Sequence, residues 1–188
     1  MADKRRDTKR VIAESFKELL KKNPIEKITV GNITELSGVI RPTFYNHFSD
    51  KYEVLEYIIR NDLLLPIKPL LANDMIVEGV TLLMSNMNNE IDFYKNAVRI
   101  EGQNSFEVVA RQEVAKLLLE IMEERSGEAT HYKYRWLTRE IVAEYYAQSI
   151  TYVATSWIKQ DYSITPKEIS EIYDFLTHNN VIDVLKSL

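Results

Sequence analysis

No cysteine occurs in the chain. Disulfides and thiolate zinc sites are thereby excluded, and the absence fits a reducing compartment. No run approaches the ~18 apolar residues that a membrane span needs. The charged start MADKRRDTKR is not followed by an apolar stretch of signal-peptide type. The expectation is a cytoplasmic protein with no membrane contact. Glycine and proline are scarce, at five each in 188 residues, so helices meet few breakers. The five glycines are also scattered, which leaves no loop to cradle a phosphate.

The residue types that catalysis and metal binding draw on are equally thin. His47, His131 and His178 stand far apart, with no Glu or His at metal-ligand spacing. Paired acids such as Glu123 and Glu124 read as a solvated helix end. No catalytic residue, metal site or cofactor is expected, and the chain does not read as an enzyme. There is no internal repeat, no low-complexity segment and no strand pattern. What remains is helical periodicity and a 45% hydrophobic content, enough for a core.

Charge is uneven. Up to Asp62 there are 12 Lys/Arg against 10 Asp/Glu; beyond it, 12 against 18. A phosphate backbone is tolerated by the first part and repelled by the second. Lys4, Arg5, Arg6, Lys9 and Arg10 cluster at the start of the first helix, where acidic residues are preferred. They read either as a solvated tail or as an arm for phosphate or the minor groove.

The chain is organised around Ile28 to Lys51. A first helix covers about Asp7 to Lys22, with Val11, Ile12, Phe16, Leu19 and Leu20 as its stripe. Asn23-Pro24 ends it. Thr29 caps a short second helix, which Ser37-Gly38 stops. A third helix runs from about Arg41 to His47. Its N-cap, Ile40, cannot accept a hydrogen bond, and Pro42 in the first turn offsets part of that loss. Phe44 and Phe48, four apart, point into one core. Two short helices joined by a tight Gly turn make a helix-turn-helix, whose second helix can enter a DNA major groove. Arg41 can bind guanine O6 and N7, Pro42 and Thr43 suit a thymine methyl, and Asn46 reads adenine or faces solvent. Asp50 and Glu53 have capping-box spacing and open a fourth helix.

This stretch, with TFYNHF followed by Asp50-Lys51, resembles the DNA-binding domain of the TetR family of bacterial regulators, over roughly Arg10 to Leu55. The resemblance implies phosphate contacts for Thr29, Tyr45, His47 and Lys51, with half-buried packing the other reading of Tyr45. It also implies operator DNA as partner, a homodimer that reads two half-sites, and repression as the default.

The expected fold is all-α with about nine helices. Pro66 and Pro69 break the chain, so residues 1–64 form the DNA-binding domain and 65–188 a helical dimerisation domain. There a fifth helix runs to about Asn89, a sixth over Ile91 to Arg99, a seventh to about Arg125, and a polar loop over Ser126 to His131. An eighth covers Arg135 to Lys159. A ninth starts at the capping box of Thr165 and Glu168 and runs through Val184. The last two form the dimer seam through Tyr145, Ser149, Tyr152, Ser156, Ile172, Leu176 and Val181. In the family the effector sits among helices 4 to 8. Met84, Met87, Phe93, Tyr94, Val98, Phe106, Trp136 and Tyr145 are the corresponding residues, and core packing is their other reading. Arg99, Glu101 and Gln103 are polar neighbours. FYKNAVRIEGQNSF (Phe93 to Phe106) resembles the TetR subgroup that includes the dihydroxyacetone-kinase operon activator. This implies the alternative of a coactivator that works through a protein coregulator without a small-molecule effector.

Overall fold

The structure, a computed structural model, describes residues 2–126, 134–160 and 164–187, with side chains from Thr8 onward. The expected polar loop over Ser126 to His131 lies outside the described residues except for the backbone of Ser126. So do the side chains of Lys4, Arg5 and Arg6. The described chain is all-α: eleven α-helices, one 3-10 turn and one π turn.

Helix α1 (Ala2–Leu20) buries Ile12, Phe16 and Leu20 completely. A 3-10 turn (Ile25–Lys27) tucks Ile25 beneath it. Helices α2 (Val30–Ser37), α3 (Arg41–Tyr45) and α4 (Lys51–Ile58) pack on that stripe through Ile33, Phe44, Phe48, Val54 and Leu55.

The sequence predicts a break at Pro66 and Pro69. Instead α4 continues through a π turn (Ile59–Leu64) into α5 (Leu65–Ala72). The reason is local. Pro66 has no N–H to give the Asp62 carbonyl four residues back. Asn86 Nδ2 donates to that carbonyl at 3.1 Å, so a donor from another helix takes the place of the missing i+4 bond. Pro66 itself lies in the first turn of α5, the position a helix tolerates best. The wider π turn brings Ile59, Leu63 and Leu64 inward together.

Helices α6 (Ile76–Asn89), α7 (Ile91–Ala97), α8 (Phe106–Ser126), α9 (Arg139–Gln160), α10 (Pro166–His178) and α11 (Val181–Ser187) follow. Helix α8 packs along α9, and α10 packs on α6. Ala143 and Ala147 on α9 are fully buried. At Gly79, an added Cβ would stand 2.9 Å from Leu71 Cδ2, so α5 and α6 meet closely there and a larger residue would move the Leu71 side chain.

Two expected spans change. Helix α9 begins at Arg139, not Arg135, because Thr138 accepts the Ile141 N–H as a cap. The last helix does not run through to Val184. Asn179 is extended, and the Asn180 side chain accepts the N–H groups of Ile182 and Asp183, opening α11. An Asn side chain competes with the helix for backbone donors, which sequence periodicity does not register.

Acids of α8 face cations of the π turn and α5. Arg60 bonds Glu120 at 2.6 Å, and Lys68 bonds Glu124 at 2.8 Å. Glu56 on α4 has no such match. Burial, and then the charges of Glu113, Glu53 and Asp50, push its carboxyl up against the pull of Lys116. A carboxyl raised by folding burdens the folded state wherever it is ionised. Glu56→Gln should therefore raise the melting temperature at pH 7. The gain should vanish as pH falls through the raised pKa toward the ordinary carboxylate value. A gain of equal size at acid pH would contradict this assignment.

Candidate nucleic-acid interface

Thr29 makes both halves of a capping box. Its Oγ1 accepts the Asn32 N–H at 3.1 Å, while Asn32 Oδ1 accepts the Thr29 N–H at 2.9 Å. This fixes where α2 starts. Gly38, at φ 70°, ends it in the left-handed region that a side chain disfavours. The chain then turns through Val39 into α3. Ile40, the N-cap of α3, makes no side-chain bond, as the sequence predicts.

Helix α3 is only five residues long and is held by what it buries. Phe44 and Phe48 sit in the core with ring centroids 5.9 Å apart. Their burial turns Arg41, Pro42, Tyr45 and Asn46 to solvent, with Thr43 and His47 half-buried between. Tyr45 is 58% exposed and meets Phe44 edge-on, so its ring rests on the core while most of its surface is open.

Arg41 does not stand apart as a lone reader. A Cβ added at Gly31 would lie 3.0 Å from Arg41 Nη2 and 3.4 Å from Thr29 Oγ1. The guanidinium therefore rests over the first turn of α2, beside Thr29, and the absent side chain of Gly31 makes the room. A shallow cleft joins these residues. Lys51, at the start of α4, donates to the carbonyls of Ile25 and Ile28 at 2.7 and 2.9 Å. Two of its three protons thus latch the 3-10 turn that precedes Thr29, leaving one for an anion. Lys9 sits over the Phe48 and Tyr57 rings, 5.1 and 5.5 Å from their centroids.

A family model described as "Transcriptional regulator C-terminal region" (TetR_C_8) matches residues 74–179. The chain belongs to the TetR family of transcriptional regulators. It is 38% identical over 55 residues to the HTH-type dhaKLM operon transcriptional activator DhaS of Lactococcus lactis subsp. lactis (strain IL1403). That match spans 29% of this chain and 29% of DhaS. The solved structure of the dihydroxyacetone kinase operon activator DhaS is similar in fold, with TM-score 0.55 and 22% identity over 91% of this chain and 92% of that one. A TetR-family regulator from Syntrophomonas wolfei str. Goettingen gives TM-score 0.61 at 16% identity over 94% and 98%. NalD of Pseudomonas aeruginosa, the secondary repressor of the MexAB-OprM multidrug efflux pump, gives 0.57 at 15% over 92% and 94%. Among the described residues no helix is long and apolar enough to cross a membrane.

In this TetR-family chain the expected effector residues do not gather at one place. Met84, Met87, Phe93, Tyr94, Val98 and Phe106 are buried in the core. Trp136 is 75% exposed and Tyr145 68%, together on an open groove with Tyr152. Trp136 left the set because α9 begins after it. Tyr145 left it because Ala143 and Ala147 are the buried positions of that stretch of α9, while Tyr145 faces outward. Arg99, Glu101 and Gln103 are exposed. The expected seam residues lie at the surface or half-buried: Tyr145, Tyr152, Ile172, Leu176 and Val181 exposed, Ser149 and Ser156 between. Ser149 and Tyr173 share a hydrogen bond of 3.2 Å across α9 and α10. Sequence reasoning missed Tyr146, Phe175, Ile182 and Leu185, which extend the same apolar surface. It also missed Lys17, a buried cation whose partners lie far along the chain.

The latch role of Lys51 separates from any role with DNA. Lys51→Ala should lower stability by about 1.5–3 kcal/mol, the range for hydrogen bonds from a charged donor. Urea denaturation measures it; an unchanged midpoint would mean the latch holds nothing.

Proposed function

We propose that the protein is a homodimeric, operator-binding transcriptional regulator, with residues 1–64 as its DNA-binding half and 65–188 as its dimerisation and control half. The carrying observation is that Phe44 and Phe48 are buried while Arg41, Pro42, Tyr45 and Asn46 are exposed on α3 beside the capped start of α2. In this reading Arg41, Pro42, Thr43 and Asn46 face the major groove. Thr29, Tyr45, His47 and the third proton of Lys51 take phosphates. One five-residue helix covers too few base pairs for specificity, so two copies are needed. The apolar faces of α9, α10 and α11 support a second copy as their cover, since monomers rarely expose such patches.

For control, the family default is repression released by a small-molecule effector. One observation favours a second reading, regulation through a protein partner with no small ligand. The core beside Met87 and Phe106 leaves a cavity of about 30 Å³, against roughly 300–1,000 Å³ for a metabolite pocket; the cleft of about 520 Å³ between α4 and α8 is open and lined mostly by charged side chains. The likeness to DhaS, named as a transcriptional activator, supports activation as the alternative to repression.

Gel shifts on the DNA upstream of the gene test the whole reading. Arg41→Ala should lose about 1–3 kcal/mol at particular base pairs, while Tyr45→Ala should weaken all sequences alike. Unchanged base preference in Arg41→Ala would remove Arg41 as a reader. A shift abolished by a small molecule supports the first form of control; a shift that requires a second protein supports the other. Tyr152→Glu and Leu176→Glu should each give monomers in sedimentation velocity, and an intact dimer would move the seam elsewhere.

A further inference from the structure

Lys17 lies on α1 with its side chain 3% exposed. Its ammonium stands 2.5 Å from Asp62 Oδ2, 2.8 Å from Glu90 Oε1 and 3.3 Å from Glu14 Oε1. An ammonium has three protons to donate, and three carboxylates surround it. One comes from α1 itself, one from the π turn and one from the corner between α6 and α7. Burial alone would drive the lysine toward its neutral form. Hydrogen bonds to Asp62 and Glu90, and their charges, outweigh that and hold its pKa above the ordinary value. The buried Tyr94 phenol shares this field: burial first, then Asp62, Glu90 and Glu14, push it well up. Two neutral clamps flank the cluster. Asn96 donates to the Leu20 and Lys21 carbonyls at the end of α1, and Asn86 donates to the Asp62 carbonyl.

Apolar surfaces slide and rotate on one another at modest cost. A desolvated charge does not, because a small displacement leaves it uncompensated. This contact is therefore directional where the surrounding core is not. It joins α1, on which α2 packs and through α2 also α3, to the π turn and to α6–α7.

We propose that Lys17, Asp62 and Glu90 form an ionic pivot that positions α1–α3 on the remainder of the chain, and that this positioning, without contact to DNA, is how they set operator affinity. The second clause rests on the DNA-binding reading; the first does not.

The absence of cysteine makes the test clean. Glu35→Cys on α2 and Glu78→Cys on α6, both exposed, carry spin labels in the full-length chain, diluted with unlabelled protein so that only the intrachain distance is read. The labelled parent is compared with Glu90→Gln and with the neutral triple variant Lys17→Met/Asp62→Asn/Glu90→Gln. The parent should give one narrow distance. Both variants should give a broader or displaced one, the triple at a melting temperature near the parent's. Operator affinity should fall about 5- to 150-fold, the usual range of coupling between sites. Parent-like distances in both variants would overturn the pivot. Altered distances with unchanged affinity would overturn its link to DNA. A parent that binds no operator would defeat the DNA-binding reading, and the distances alone would then decide the pivot.

Discussion

An ammonium removed from water needs negative oxygen around it, and Lys17 obtains that oxygen from three parts of the chain at once. The constraint reaches outward from there. Asp62 must sit where its carboxylate meets Lys17, which places the π turn. Pro66 cannot give the Asp62 carbonyl an i+4 donor, and Asn86 of α6 donates to that carbonyl. Glu90 anchors the corner between α6 and α7, and Asn96 closes the end of α1. Helices distant in sequence are thus tied by polar groups that would each be costly to leave unpaired.

The N-terminal helices follow a different logic. Helix α3 is far too short to persist alone. It exists because Phe44 and Phe48 are buried, because Gly38 turns the chain, and because the Lys51 latch and the Thr29 cap fix the segment before it. That arrangement leaves Arg41 and Asn46 exposed on the outer face, while Thr29 and Lys51 also hold the backbone in place. Arg41 and Asn46 can therefore change at less cost in stability than Thr29 or Lys51, which suits a proposed role in reading DNA.

In the C-terminal part, burial and exposure are sharply divided. Six of the residues expected around an effector fill space against one another, while the aromatic residues of α9 look outward. Ala143 and Ala147 mark the buried side of α9, and Tyr145 and Tyr152 lie on its exposed side. The apolar cost of that exposed face supports a covering partner more strongly than an internal ligand.

Much of this was legible in the sequence for a physical reason: local signals carry local structure. The Thr29 cap, the capping box at Thr165, the Gly38 stop, the weak cap at Ile40 and the Phe44–Phe48 pair depend on residues within four positions of one another, and each appears as read. The TetR-type assignment grew from the same short stretch. Where local reading failed, the deciding atoms were remote or competed locally. Pro66 did not break the chain: it sits in the first turn of α5, and Asn86 donates to the Asp62 carbonyl that it cannot serve. Asn180 stopped a helix that periodicity carried onward. The sequence by itself determined the helical class, the helix-turn-helix and the family. Only tertiary structure decided that Lys17 is a buried pivot, that Lys51 spends two protons on the backbone, that Arg41 rests against Gly31, and that Trp136 and Tyr145 face outward. Those outcomes depend on hydrogen bonds, ion pairs and packing between segments that no local pattern places together.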